Sequence, residues 1–275
     1  MTVIAMTREM GSQGKDVALG IAEKLGLEVV HHELVERDLA GRLKLGESAV
    51  HQFLEGNPSL WDRWKIDKER LSRYTAEEIL DLANKGKVII RGWGAANLLR
   101  RVSHVLCVRV CAPMRVRTEV MMERLGVSDR AAVERDIAQN DAAHARTIQN
   151  LFASDWEHQL SYDLVLNTER VPISECIEQV QRLVECTAFK ETIESKQILV
   201  DILLETKIQN KLTGELRASP MSRGIEVVVT EGRVVLAGTT TDASAVEAAR
   251  HATTDGVRHV VSNVKVIGST MYGGM

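Results

Sequence analysis

The sequence contains only four cysteines among 275 residues, too few for a disulfide scaffold in a chain of this length. Cys107 and Cys111 belong to a run with the character of a β-strand. Their Cα atoms would lie roughly 13 Å apart there, too far to share a metal ion or form a bridge. Cys176 and Cys186 are expected to be inert residues of a helix and a linker. The cysteines therefore indicate neither a disulfide framework nor a metal centre.

Long apolar runs are also missing, and none approaches the ~18 residues that a membrane helix requires. The N-terminal segment brings charge after a very short apolar stretch, which is typical of a strand and not of a signal peptide. We therefore expect a cytoplasmic protein without a transmembrane segment. The net charge of only −3 does not favour a large nucleic-acid footprint, although a local basic patch remains open. Nucleic acid is not among the predicted partners.

What the chain does contain is a globular composition, with 44% hydrophobic and 27% charged residues. Short apolar runs at 3–6, 88–90, 105–110 and 163–167 predict buried strands. Helical patterns separate them, including most of 33–85, all of 114–150 and 173–185. Within the first of these, Thr75 and Glu78 have the spacing of a capping box. Alternating strands and helices predict an α/β domain over residues 1–185, with a parallel sheet covered by helices on both faces.

The character of the sequence changes near residue 186, and we predict a linker over 186–196. A helix over 197–212, a hairpin turning at Glu231-Gly232, a helix over 242–252 and a strand over 257–266 are expected to follow. The last residues, 269–275, resemble a frayed tail. Residues 197–268 are therefore predicted to form a separate, small α+β domain.

The segment Gly11-Ser12-Gln13-Gly14-Lys15 follows the predicted strand 3–6 and leads into a further predicted helix, Lys15 to Leu25. Glycines in such a loop let successive backbone N–H groups turn towards an anion, and the start of the helix adds partial positive charge. A lysine at this point reaches the β- and γ-phosphates of a nucleotide. The sequence thus predicts a phosphate loop, and the predicted cofactor-binding residues are Gly11, Ser12, Gln13, Gly14, Lys15 and Asp16.

Two neighbours of this loop depart from the usual P-loop pattern. Glu9 stands where the pattern has glycine, and Asp16 stands where a serine or threonine hydroxyl normally holds Mg²⁺. Asp16 could contact the metal through water, or it could repel phosphate. A second interpretation also stays open, in which the glycines form a turn that only links strand and helix.

Four segments of the chain form an ordered set: Thr7 to Lys15 with Leu25-Gly26-Leu27, Ile89 to Ala95, Val108 to Pro113, and Tyr162 to Thr168. Together they resemble the signatures of the cytidylate kinase-like family of P-loop kinases. This resemblance implies a P-loop kinase-type fold. It also implies ATP-dependent phosphoryl transfer to a nucleoside monophosphate, with CMP as a candidate, and the use of ATP and Mg²⁺. Lys15 would then be a catalytic residue.

The same resemblance implies mobile arginines in a segment over 124–146 that closes over the site. Asp141 fits an Asp-x-x-Arg pattern of the family, but the fourth position is His144. Arg146 and Arg135 are the predicted catalytic arginines, and Arg124 and Arg130 are alternatives. In the second signature Trp93 replaces the arginine between the glycines, and Arg91 could serve instead because it lies two residues earlier on an extended strand. Predicted substrate-binding residues are Arg91, Trp93 and Arg63. Packing remains an alternative role for Trp93, and a solvated basic face remains one for Arg63.

The C-terminal segment resembles a BON domain through residues 225–229, 232–238 and 256–264. That resemblance implies a protein or lipid partner for this module. Two functions therefore stay open: an active nucleoside monophosphate kinase, or a catalytically degenerate nucleotide-binding regulator whose BON-like module binds a partner. The additional module and the helical segment are compatible with a homodimer.

Overall fold

The computed structural model describes residues 1–30, 39–41, 68–92, 94–215, 225–240 and 256–266. The chain divides into two compact units, Met1–Ser195 and Lys196–Met275. In the described ranges no helix is both long and apolar enough to cross a membrane.

The first unit is built on a five-stranded parallel sheet. Its strands are β1 (Val3–Arg8), β2 (Glu28–Val30), β3 (Val88–Arg91), β4 (Val105–Cys111) and β5 (Leu164–Asn167). They lie in the order β2-β3-β1-β4-β5, and every neighbouring pair is parallel. This is the sheet of a P-loop kinase, and it confirms the predicted fold class. Because the strands are parallel, the carboxyl ends of β1, β3 and β4 meet at one edge.

Helices flank this sheet. They are α1 (Gly14–Leu25), α2 (Lys68–Lys85), α3 (Ala95–Leu99), α4 (Met114–Leu125), α5 (Arg130–Phe152) and α6 (Ile173–Glu185). One core cluster joins α1 and α6 to the strands, because apolar residues recur at helical spacing in both helices. Its fully buried members include Ile4, Val17, Ile21, Val108 and Val180.

The predicted helix start at Thr75 was wrong, and the predicted helical region over 114–150 is confirmed but interrupted. Thr75 lies inside α2, where its buried hydroxyl donates to the carbonyl oxygen of Leu71 at 2.9 Å, so it is not an N-cap. The predicted helix over 114–150 is two helices, which separate at Gly126 in a left-handed conformation (φ 66°). Asp129 then caps α5 by accepting the N–H of Ala132 at 3.0 Å. Most of the predicted helical segment 33–67 lies outside the described residues.

The predicted linker over 186–196 contains a 3₁₀ turn, Thr187–Phe189, and the start of helix α7 (Ile193–Glu215). The helix begins before residue 197 because Thr192 and Ser195 cap it reciprocally. The N–H of Thr192 donates to Oγ of Ser195 at 2.9 Å, and the N–H of Ser195 donates to Oγ1 of Thr192 at 3.1 Å.

The second unit packs part of α7 against a three-stranded sheet. Strands β6 (Ile225–Thr230) and β7 (Arg233–Thr240) form an antiparallel hairpin, and β8 (His259–Val266) pairs with β7 in parallel. The predicted turn is confirmed, since Glu231 and Gly232 both have positive φ (53° and 73°). Asp201 accepts both of their N–H groups, at 2.7 and 3.0 Å. The predicted helix over 242–252 and the tail over 269–275 lie outside the described residues.

Candidate nucleotide site

The predicted phosphate loop connects β1 to α1 at the carboxyl edge of the sheet. At two positions of this loop, steric contacts explain why the residue is glycine. Gly11 has φ 78°, and a Cβ there would lie 2.5 Å from the carbonyl oxygen of Arg117. A Cβ on Gly14 would lie 2.7 Å from Cβ of Arg8. The loop is therefore packed so closely against its neighbours that larger residues do not fit at either position.

The backbone of this loop presents donors that the protein does not use. The N–H groups of Gln13, Gly14 and Lys15 have no acceptor in the described part of the chain, whereas those of Asp16 and Val17 donate to the carbonyl oxygen of Gln13. Gln13 is left-handed (φ 58°) and α1 begins directly after it. Successive unpaired N–H groups at a helix start form an anion site. The geometry fits the phosphates of a nucleotide.

Ser12 holds this loop together. Its side chain is fully buried, with Oγ 2.8 Å from the carbonyl oxygen of Glu9 and 3.1 Å from that of Val110. Its N–H also donates to Glu9, at 3.2 Å, and its carbonyl oxygen accepts the hydroxyl of Thr168 at 2.9 Å. Both donors of Ser12 are therefore engaged within the protein, and a role in cofactor binding for this residue stays a prediction.

Lys15 and Asp16 are exposed in the first turn of α1. Lys15 is thus available to a phosphate at the neighbouring N–H groups. No cluster of three or more acidic, histidine or cysteine side chains suited to a metal occurs among the described residues. Mg²⁺ in kinases needs no such cluster, because one or two carboxylates and the substrate phosphates hold it. Asp16 stays the candidate carboxylate.

Glu9 is engaged in a buried network of ion pairs and hydrogen bonds. Its buried carboxylate accepts Nη2 of Arg109 at 2.7 Å, Nη1 of Arg117 at 3.2 Å and the N–H of Ala112 at 3.1 Å. Burial lowers the pKa of Arg109, but the hydrogen bond and charge of Glu9 raise it further, so its net pKa is raised. The departure from the glycine pattern is therefore a structural ion-pair site and does not repel an anion.

The two predicted catalytic arginines, Arg135 and Arg146, both lie on α5 and are exposed. Neither has an ion-pair partner in the described ranges. His144, in the family's arginine position, lies with its ring centroid 5.2 Å from that of the buried Trp156. The guanidinium of Arg109 lies 4.9 Å from the same ring. His144, at the position where the family pattern has arginine, therefore packs against Trp156. The exposed cations of α5, Arg135 and Arg146, lie at other positions of the helix.

Arg91 is the last residue of β3 and pairs in register with Met6 of β1, just before the phosphate loop. It is 95% buried, and its Nε has no hydrogen-bond partner among the described residues. Burial lowers its pKa. A buried guanidinium nitrogen without a partner is unfavourable by itself, which points to an anionic ligand. The other predicted substrate residues, Trp93 and Arg63, lie outside the described residues.

Sequence reasoning did not assign roles to Arg117 or Trp156. The need for a buried partner of Arg109 could have been predicted, since this charged residue lies within the apolar run of β4. The partner, Glu9, is a hundred residues earlier in the chain, so no local pattern identifies it.

Comparison with known proteins bears on the family and the fold of this chain. Residues 3–170, more than half of the chain, match the model of the cytidylate kinase-like family, and residues 203–268 match the BON domain. A cytidylate kinase of Pyrobaculum aerophilum is 27% identical over 64% of this chain and 89% of its own length. One of Pyrococcus horikoshii is also 27% identical, over 61% of this chain and 80% of its own.

The fold has a solved counterpart in an uncharacterized protein from Eubacterium ventriosum. That structure has a TM-score of 0.53 at 18% identity and covers 67% of this chain and 99% of its own. It supports the fold alone. From the matched residues, the loop geometry and the sheet order together, this chain belongs to the cytidylate kinase-like family and carries a C-terminal BON domain.

Proposed function

We propose that the protein transfers the γ-phosphoryl group of ATP to a nucleoside monophosphate, with CMP as the first candidate acceptor. One observation carries this proposal. Among the described residues, N–H groups without an acceptor follow β1, and Arg91, whose buried Nε has no hydrogen-bond partner there, ends the neighbouring strand β3. We interpret these features as two anion sites side by side at one edge of the sheet. A kinase for phosphorylated acceptors needs such a pair, one for the donor phosphates and one for the acceptor phosphate.

In this proposal, each residue has a role that follows from its position in the sheet and the loop. The N–H groups of Gln13, Gly14 and Lys15 hold the donor phosphates, and the Lys15 ammonium stabilises charge on the transferred group. Arg91 holds the acceptor phosphate. Mg²⁺ supplies further neutralisation of phosphate charge when bound, and Asp16 is the residue that would hold it. Arg135 and Arg146 are the cations that closure of α5 would bring to the site.

The test is a panel of ribonucleoside and deoxyribonucleoside monophosphates with ATP and Mg²⁺, in which diphosphate products are separated and quantified. We expect one acceptor, or a small set of related pyrimidine acceptors, to be converted while the others are not. If ATP binds by calorimetry but no monophosphate is turned over, the kinase proposal is wrong.

A second function is favoured by one specific contact, the packing of His144 against Trp156. In this alternative the protein binds nucleotide without catalysis, and the BON domain contacts a protein or lipid partner in a nucleotide-dependent manner. Calorimetry without turnover would support it. A homodimer and a cytoplasmic location remain predictions, which size-exclusion chromatography with light scattering and cell fractionation would test.

A further inference from the structure

Arg117 of α4 contacts three consecutive residues, Glu9 to Gly11, which lead into the phosphate loop. It is 95% buried, and its Nε donates to the carbonyl oxygen of Met10 at 2.9 Å. Its Nη1 donates to Glu9 at 3.2 Å, and its own carbonyl oxygen occupies the space that a side chain at Gly11 would need. Arg117 is therefore one of the side chains that fix the conformation of the segment before these N–H groups, together with Ser12 and Arg109.

The remaining nitrogen of Arg117 is held by Asp141 of α5, the helix that carries both candidate catalytic arginines. Nη2 of Arg117 lies 2.6 Å from Oδ2 of Asp141, while Oδ1 is buried without a hydrogen-bond partner among the described residues. Burial, opposed by the charge of Arg117 and reinforced by that of Glu9, raises the pKa of Asp141 to about 6.

We infer that Asp141 is a positioning residue of the nucleotide site, which acts through Arg117 on the loop at Glu9–Gly11 so that its ionisation sets the affinity for a nucleotide triphosphate. The inference rests on the proposed nucleotide binding but not on turnover. It couples α5 to the phosphate loop through two ion pairs in series.

The charges around Asp141 explain the direction of the effect. It faces Arg117 from α4, Glu9 from the loop, Arg109 from β4 and Glu157 from the segment after α5. With Asp141 ionised, the buried pairs Glu9–Arg109 and Arg117–Asp141 are neutral overall. Protonation leaves Arg117 with an excess positive charge and a weaker partner on α5. His144, on the same face one turn along α5, packs against Trp156 and is common to the wild type and to both variants compared below.

Loss of this partner releases Arg117 from one of its three anchors. Because donors that bind an anion must be held within about 0.5 Å of their working geometry, even a small relaxation of Met10 and Gly11 weakens the site. Coupling between two such elements typically changes binding 5- to 150-fold.

The experiment compares ATP binding by calorimetry in the full-length wild type, Asp141→Asn and Asp136→Asn, with Mg²⁺, at pH 7.5 and 5.0. Asp136 is an exposed carboxylate on the same helix and is the matched control. We expect Asp141→Asn to bind ATP about tenfold more weakly than wild type at pH 7.5 and about equally at pH 5.0. Asp136→Asn should follow wild type at both, which removes the protonation of ATP itself from the comparison.

Equal binding by wild type and Asp141→Asn at pH 7.5 would overturn the inference. So would a difference of the same size at both pH values, since this would indicate a structural role without ionisation. Asp141→Glu keeps the carboxylate and is expected to recover part of the affinity at pH 7.5, which decides the matter if the asparagine variant folds poorly. Because binding is measured without turnover, an inactive protein that shows this pattern would contradict the proposed kinase function alone.

Discussion

Nη2 of Arg109 lies 2.7 Å from Oε1 of Glu9, and this buried ion pair forms where β1 ends and the phosphate loop begins. Glu9 stands at the position that a P-loop usually gives to glycine. The pair therefore replaces a flexible residue by a fixed one, and the loop starts from a charged, hydrogen-bonded anchor. This arrangement makes the loop dependent on side chains from β4 and α4.

Glu9→Gly, which restores the usual pattern, is expected to destabilise the protein. It leaves the charges of Arg109 and Arg117 buried with one partner fewer, and breaking a buried pair in this way costs about 3–5 kcal/mol. Urea unfolding measures the change, with the exposed Glu23→Gln on α1 as control. Equal stability of the two variants would show that the buried network contributes little.

Gly11→Ala is expected to lose more than about 2 kcal/mol of stability, together with ATP affinity. The residue has positive φ, which by itself costs about 1–2 kcal/mol for alanine, and the new Cβ would meet the backbone of Arg117. Gly26→Ala is the matched control, since Gly26 also has positive φ (63°) but faces open space. If both variants lose the same stability and ATP affinity, the contact between the new Cβ and Arg117 does not cause the loss.

Lys15→Ala should reduce kcat/KM by about 10²–10³-fold, because a cation at the transferred phosphoryl group is lost. Lys24→Ala, an exposed lysine on the same helix, should leave it unchanged. Steady-state kinetics with the accepted monophosphate provides the measurement. If the two lysine variants retain equal activity, Lys15 does not contact the reacting phosphates.

Arg91→Met should raise KM for the acceptor about 10- to 100-fold, the loss expected for hydrogen bonds to a charged group. The same change should leave stability unchanged or higher, because it removes a buried charged group whose Nε has no hydrogen-bond partner among the described residues. The exposed Arg101→Met serves as control. A strongly destabilised variant with unchanged acceptor KM would identify Arg91 as a structural residue.

The raised pKa of Asp141 predicts a pH dependence of stability. A carboxyl group whose pKa rises from 3.8 to about 6 on folding binds more protons in the folded state. Its contribution is therefore fully present below pH 4 and is lost as the pH rises through 6. After discounting for partial exposure, wild type should lose about 1 kcal/mol relative to Asp141→Asn between pH 4 and 7. If the free energy of unfolding changes with pH in the same way for both proteins over this range, the pKa of Asp141 is not raised on folding.

Local signals made much of the fold predictable. The loop at Gly11 to Lys15 and the turn at Glu231-Gly232 depend on backbone conformations that neighbouring residues specify, and both were identified from sequence. The capping box predicted at Thr75 was wrong because a threonine with a glutamate three residues later also occurs inside helices. Only the upstream helical residues distinguish the two cases, and there the hydroxyl bonds to Leu71 instead of capping.

The ion pairs around the loop could not be predicted in the same way. Glu9, Arg109 and Asp141 lie far apart in the chain, and their contact depends on how β4, α4 and α5 pack. Glu9 looked like a departure that limits phosphate binding when it was considered alone. Its partners change that interpretation, because two buried arginines compensate the charge of the carboxylate.

Gly94 has a consequence for how α5 can move. The place of a Cβ at this residue is already taken by the ring of Phe152, the last residue of α5, so this end of the helix is seated against α3. Val133 and Ile137 also pack α5 against Met121 of α4, so a rotation about the Phe152 end would have to carry α4 along. Arg146 lies about 9 Å along the helix from that end and Arg135 about 26 Å. Such a rotation would therefore carry Arg135 nearly three times as far as Arg146.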